Sequence, residues 1–479
     1  MMKKFRTISL LWLLIYTFSA LYAQDTKVDL GPDVKSFSKS DASCFELFAT
    51  DGEYLYAYLT ARYNHLAYSR YAIIVIYKMD LTGTIVQQTE LKTLGKKNVV
   101  ENAFLCGDTI DLIITEYWSK EDVPSKHIRI NKQDLTTISE EDIPNLFRPI
   151  HSPEGSWFGC ITLNNEKHAI LTVYDACHLE EVWKKEINTT GMIGLYLTED
   201  AEVIFCGVDD DGQLHFRIIT EENDKEFVTN ADISDVRSMV IANYQNGRIY
   251  AGGILFEWTK HKNPKNRTKQ ISGYYSLMFD TKTNKTNMDR KNFTRRSWDM
   301  IVNYNSDNEP GEDVVLENIL YVGKIATANN TVLAYQYIPS VVTDYHYYQY
   351  GLVVFGISSD GDIAWSRFPR RKNTSTGTPT YLTQDLFEHD GKACIVYETH
   401  EETALCEDEN KDVEDLNMDK LNMSGLVMLS IDAEGNATKE LLAKSRRYLI
   451  SKSVKDEKTG NRMFYIHNAL QKANVITLK

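Results

Sequence analysis

The chain repeats one short hairpin along nearly its whole length, and that recurrence constrains the fold more than any other feature. The fullest copy is Tyr350 to Pro369, YGLVVFGISSDGDIAWSRFP. Leu352 to Ile357 is an apolar run that reads as a buried strand, because branched and aromatic side chains pack well on a pleated surface. Ser358 to Asp362 then turn the chain, with Gly361 able to take the positive φ of a tight hairpin. Ile363 and Trp365 return at period two, which predicts that they share one face of the partner strand.

Looser copies pair up, so that each unit is a four-stranded meander. The first unit has Phe45 to Tyr58, turning at Asp51-Gly52, and Tyr71 to Leu91. The second has Asn102 to Tyr117 and His127 to Ile138. The third runs from Trp157 to Tyr174, turning at Asn164-Asn165, and on to Ile187. The fourth has Leu195 to Gly207 and Leu214 to Ile219, and the fifth Val240 to Glu257 and Tyr274 to Asn292. The sixth joins Tyr321 to Ile338 with the hairpin above, and the seventh joins Leu386 to Tyr397 with Gly425 to Leu442. The eighth offers Ile450 to His467 and a terminal strand, Asn474 to Leu478, and falls about one strand short. Lys27 to Leu30 is placed to supply it.

A ring of such sheets closes when one blade takes strands from opposite chain ends, which leaves few free edges. The expected fold is therefore all-β: a single β-propeller of seven or eight four-stranded blades, closed by strands from both chain ends. A string of β-sandwiches would need linkers, and no Pro/Gly/Ser-rich linker occurs. Unit spacing is irregular, as expected of a ring whose loops lengthen at little entropic cost.

Residues 1–23 read as a signal peptide and 24–479 as the propeller domain. Lys3, Lys4 and Arg6 give a basic start, Ile8 to Phe18 an apolar stretch shorter than a membrane span needs, and Ala20 to Ala23 a cleavage region. Export to the periplasm, the cell surface or the medium is expected, with no transmembrane segment. Losing the three cations takes the formal charge from −14 to about −17. A chain this acidic repels phosphate backbones, so nucleic acid is not an expected partner. Of seven cysteines, Cys106, Cys160, Cys206 and Cys394 lie in apolar runs and are expected to be small buried hydrophobes. Cys177 and Cys406 fall in turns or loops, and no disulfide framework is expected.

The hairpins resemble those of the β-propeller superfamily, in particular kelch-like and quinoprotein-like hairpins, in which an aspartate–glycine turn precedes an aromatic on the outer strand. Trp183 and Trp365 stand where such tryptophans fall. The signal peptide followed by Gln24 resembles exported proteins of Bacteroidetes-type bacteria. The resemblance implies the architecture and carries no catalytic residue or cofactor onto this chain.

Loops between second and third strands leave a propeller on the face where partners usually bind. Here they carry Tyr63, His65, Tyr68 and Arg70 in the first unit, Trp258 and His261 in the fifth, and Tyr345, His346, Tyr347 and Tyr348 in the sixth. The seventh is an acidic insertion at about 401–423. Exposed aromatics give stiff contact area with a polar tip, suited to sugars, peptides or proteins. Arg295, Arg370 and Arg446, each beside a second arginine, recur after the outer strands of units five to seven, a pattern suited to binding anions. Asp408, Asn410, Asp412 and Asp419 only partly fit a calcium loop, with Val413 where such a loop needs glycine, so no metal or cofactor is expected.

No GxSxG, HExxH, P-loop or dinucleotide fingerprint occurs. The expected function is a non-catalytic binding or scaffolding propeller engaging a protein, peptide or glycan through its loop face. The alternatives are a secreted hydrolase or lyase acting on an extracellular polymer, with acids or a histidine converging at the central funnel, and a structural component of an envelope assembly.

Overall fold

The computed structural model describes residues 28–30, 34–35, 45–60, 74–91, 98–116, 125–143, 147–163, 168–209, 211–258, 269–294, 297, 301, 319–337, 346–349, 351–371, 373–376, 384–400, 416–417, 424–445, 448–468 and 472–479. They form eight four-stranded antiparallel blades in a ring, a β-propeller. Within each of blades 1 to 7 the chain runs from the channel outwards. The fourth strands are exposed, as in Thr137–Ile143 of blade 2 and Asp224–Val228 of blade 4.

Blade 8 is closed from both chain ends. Val28–Leu30 pairs antiparallel with Lys472–Leu478, in register Val28 to Leu478 and Leu30 to Ile476. The C-terminal strand pairs in turn with Arg462–Asn468, so the first described strand of the chain is the outermost strand of its last blade. The strand missing from the eighth repeat comes from where the sequence placed it.

Eight apolar clusters fill the eight interfaces between blades. Leu47, Leu55 and Met79 of blade 1 meet Val454, Tyr465 and Val475 of blade 8, which completes the ring. Middle strands are buried on both faces. Leu352–Ser358 of blade 6 sends Val353, Phe355 and Ile357 against blade 5, and Leu352 and Val354 against blade 7. Two-sided burial explains why these strands read as continuous apolar runs instead of alternating ones.

Three expectations are corrected. Ile363 and Trp365 do not share a face, because the register steps from Ile363 to Trp365 and leaves Ala364 in a bulge. Ile363 joins the cluster against blade 5 and Trp365 the one against blade 7. Similar bulges leave out Val86, Ile138 and Val182 in blades 1 to 3, twisting outer strands that would otherwise present flat edges. Second, the first strand of blade 3 is Phe147–His151, and Trp157–Leu163 is its second. Third, Cys106 is not a free buried thiol: it is disulfide-bonded to Cys177. Cys160, Cys206 and Cys394 are buried and free, as their apolar settings predict.

Candidate functional site

Two regions gather functional groups: the face carrying the second-to-third-strand loops, and the central channel lined by the first strands.

On the loop face, three connections of blades 6 and 7 pair into a small sheet. His346–Gln349, between the second and third strands of blade 6, pairs antiparallel with Asn373–Thr376, between blades 6 and 7. Asn373 and Thr374 pair in parallel with Leu416 and Asn417, from the insertion between the second and third strands of blade 7. His346, Tyr347 and Tyr348 thus sit on a strand and not in an irregular loop. Among the described residues this strand is an edge, paired on one side only.

The other sequence-predicted residues are not gathered there. Trp258 ends the second strand of blade 5, opposite Lys269, and is 57% exposed. That hairpin continues beyond the expected loop start at Glu257. Arg370 is half-buried, and its neighbour Arg371 is fully buried, donating to Gln384 Oε1. Burial pulls the Arg371 guanidinium down to about 10, with Glu398 and Tyr397 opposing the shift. That pair therefore does not present two free cations to an anion. Tyr63, His65, Tyr68, Arg70, His261, Tyr345, Arg295, Arg446, the calcium-like run at 407–415 with Asp419, and residues 1–23 lie outside the described residues.

The channel divides into a charged side and an apolar side. On the charged side, first strands of blades 1 to 3 meet the break in the inner edge of blade 8. Glu46 accepts a 2.6 Å hydrogen bond from the Tyr58 hydroxyl and lies 3.2 Å from Lys452 Nζ. Lys452 is raised by Glu46, and Asp385 of blade 7 adds to the effect. Burial pushes the Asp385 carboxyl up although the Ser453 backbone N–H donates to it at 2.7 Å. Arg462 Nη1 donates to Ser453 Oγ at 3.0 Å. Glu101, left out of pairing by a bulge, accepts from Thr115 Oγ1 at 2.7 Å.

His151 completes this side. Asn102 Nδ2 lies 2.9 Å from its Nδ1, and its ring stacks obliquely on Phe158 at 5.1 Å. Enclosure in the channel, then the Lys452 charge reaching it from blade 8, both disfavour its protonation. Sequence reasoning missed this group. Its members come from blades 1, 2, 3, 7 and 8, and only ring closure brings them together.

On the opposite side, the exposed large apolar side chains among those described come from blades 4 and 6. Ile193 and Tyr321, on the first strands of blades 4 and 6, are 40% and 38% exposed. Lys324 leaves blade 6, donates 2.6 Å to the Ile241 carbonyl of blade 5 and places its Nζ 4.3 Å from the centre of the Tyr196 ring of blade 4. Desolvation lowers its amine to about 7.

No family model matches the chain, and no curated protein matches it in sequence. Among solved structures, the Dos1 propeller aligns over 94% of this chain and 95% of that one, at 8% identity and a TM-score of 0.44. The WD40 domain of SCAP from fission yeast aligns over 95% and 98%, at 10% identity and 0.35. The β-propeller domain of the Trilobed protease from Pyrococcus furiosus aligns over 80% and 96%, at 11% identity and 0.37. Likenesses this distant carry no argument about partners or chemistry.

Proposed function

We propose that the protein is an exported, non-catalytic binding or scaffolding propeller that engages a protein, peptide or glycan partner through its loop face. The observation that carries this reading is the small sheet over blades 6 and 7, with His346–Gln349 as an edge strand. A strand edge offers backbone donors and acceptors to an extended segment, and tyrosine-rich surfaces supply contact area at low entropic cost. An extended peptide is the partner form this favours most. The test replaces Tyr345, Tyr347 and Tyr348 by alanine together and measures capture on peptide and glycan arrays and from envelope extract. Capture should weaken at least tenfold with an unchanged melting point; undiminished capture would overturn the assignment.

A second reading, a hydrolase or lyase acting on an extracellular polymer, draws support from Glu46, Glu101 and His151 on one side of the channel. Separate Glu46→Gln and Glu101→Gln variants address it on a polysaccharide and peptide panel. Turnover abolished by either substitution supports the reading. An unaltered protein inactive across the whole panel counts against it.

A further inference from the structure

The hairpin of Arg248–Trp258 and Lys269–Asp280 in blade 5 has the longest strands among the described residues, at 11 and 12 residues. It runs about 10 Å further than the described second strand of blade 6, Asn330–Tyr337. Side chains alternate along its first strand. Tyr250 and Ile254 join the cluster against blade 6, and Ile249 and Leu255 the one against blade 4. Trp258 keeps the parity of Tyr250 and Ile254, which puts it on the blade 6 side, and it is 57% exposed. Glu257 falls on the other side, where Gln270 Nε2 donates to it at 2.8 Å. No acid occurs from Trp258 to Phe279, and five cations stand at Lys260, Lys262, Lys265, Arg267 and Lys269, on a chain whose net charge is −14. The edge strand His346–Gln349 borders the same seam. Its sheet continues through Asn373–Thr376 to Leu416–Asn417 of blade 7, so among the described residues its unpaired side turns away from blade 7. Just beyond it, the Gly351 N–H donates at 2.8 Å to the carbonyl of Ile301, a member of the cluster between blades 5 and 6.

We propose that the seam between blades 5 and 6 on the loop face takes an extended acidic peptide, held between the edge strand and the blade 5 hairpin. The inference rests on the loop-face reading above and adds a second wall and the sign of the partner's charge. The backbone of His346–Gln349 offers N–H and C=O groups, which select an extended conformation and no particular sequence. Sequence preference falls to the hairpin. The exposed indole of Trp258 gives a stiff apolar surface for one peptide residue. Five cations between Lys260 and Lys269 draw carboxylates. Successive side chains of a strand point to opposite faces, so the favoured segment carries acids at alternate positions. The net charge of the whole chain, being negative, favours a basic peptide instead. The local and global charges thus predict opposite preferences.

The test selects random peptides displayed on phage against the unaltered chain, residues 24–479, at low salt. Selected peptides should be enriched at least threefold in Asp and Glu over the starting library. The best of them, made synthetically and followed by fluorescence polarisation, should bind at least tenfold more weakly to Trp258→Ala. The same loss is expected in a variant combining Lys260→Glu, Lys262→Glu and Lys265→Glu, with melting points unchanged in both. Added salt should weaken binding to the unaltered chain, a readout that needs no variant. Selection of neutral or basic peptides would overturn the proposal, as would binding that survives either hairpin variant. Affinity lost on replacing Tyr345, Tyr347 and Tyr348, yet kept in both hairpin variants, overturns this inference and leaves the loop-face reading standing. Displacement of the peptide by an alginate oligomer at equal affinity would move the site to acidic glycans and overturn the peptide assignment. No enrichment at all overturns it as well, and leaves the loop-face reading to capture of a glycan or a folded protein.

Discussion

Cys106, at the end of the first strand of blade 2, is bonded to Cys177, in the turn between the third and fourth strands of blade 3, with their Cα atoms 5.3 Å apart. The bridge crosses the interface with the smallest apolar cluster among the described residues. Ile113, Phe158, Cys160 and Ala176 are its only fully buried members, against ten to fourteen in each other interface. The Asn102–His151 contact crosses the same seam. A ring fails at its weakest junction, so a covalent link is most effective where burial contributes least.

Replacing Cys106 and Cys177 together by alanine should therefore lower stability by about 2–4 kcal/mol, the usual range for a bridge closing a long loop. Hydrogen exchange should show the loss concentrated in blades 2 and 3, where the amides of Thr109–Glu116 and Trp157–Leu163 exchange faster while those of blade 6 do not. Uniform acceleration around the ring would mean that the bridge does not guard a particular seam.

Asp111, fully buried in the second strand of blade 2, accepts hydrogen bonds from His127 Nε2 at 2.7 Å, Arg129 Nε at 2.9 Å and Thr109 Oγ1 at 2.7 Å. Burial alone would raise its carboxyl, but the bonds from His127, Thr109 and Arg129 outweigh burial and hold it below its ordinary value. A folded pKa below the unfolded one contributes stability in full above about pH 4, and that stability is lost as pH falls through the folded value. Asp111→Asn should cost about 2–3 kcal/mol at pH 7, since it leaves buried donors facing a neutral amide. Urea midpoints at pH 7 and pH 3 decide the matter: the gap between variant and parent should narrow at pH 3, and an equal gap would remove the charge from the explanation.

Much of the ring was legible in the sequence because its turns are written in residue chemistry. Asn246-Gly247 and Asp390-Gly391 both take positive φ at two successive residues, the geometry a two-residue hairpin turn demands. The missing strand of the eighth repeat was legible as a shortage. Phe147–His151 was not, because a five-residue inner strand containing Pro149 shows neither alternation nor a continuous apolar run. Asp224–Val228 was missed for a related reason, being an exposed outer strand made mostly of charged residues. The Cys106–Cys177 bridge and the Glu46–Lys452 pair depend on which blades adjoin across the ring. No local pattern encodes that.

At blade 8 the chain start supplies Val28–Leu30, which pairs with the end of the C-terminal strand, and Val34–Lys35, which pairs with its beginning. Val28 packs against the cluster between blades 7 and 8, and Asp29 pairs with Lys479 at 2.9 Å on the surface. Deleting Val28–Leu30 bares the Ile476–Leu478 end of the C-terminal strand's edge, a ready template for another chain. The expected result is a lower melting point together with concentration-dependent dimers or aggregates in size exclusion. A variant that stays monomeric and equally stable would show that the ring closes without this strand.

Trp365 is held between two glycines, and the pair separates two causes of strain. A Cβ at Gly356, on the adjacent strand, would lie 2.5 Å from Trp365 Cε2, and one at Gly435, in the turn of blade 7, would lie 2.5 Å from Trp365 Cβ. Gly435 also has φ of +84°, whereas Gly391 has φ of +75° with nothing within 4 Å of the Cβ position. Gly391→Ala thus measures the backbone cost alone, about 1–2 kcal/mol, because an L side chain crowds its own carbonyl there. Gly356→Ala measures steric overlap with a rigid indole alone, about 1–3 kcal/mol. Gly435→Ala carries both and should cost about 2–4 kcal/mol. Trp365→Leu, which removes the indole, should relieve most of the Gly356→Ala penalty in a double-mutant cycle and none of the Gly391→Ala penalty. Equal relief at both positions would show that Trp365 does not set the spacing between blades 6 and 7.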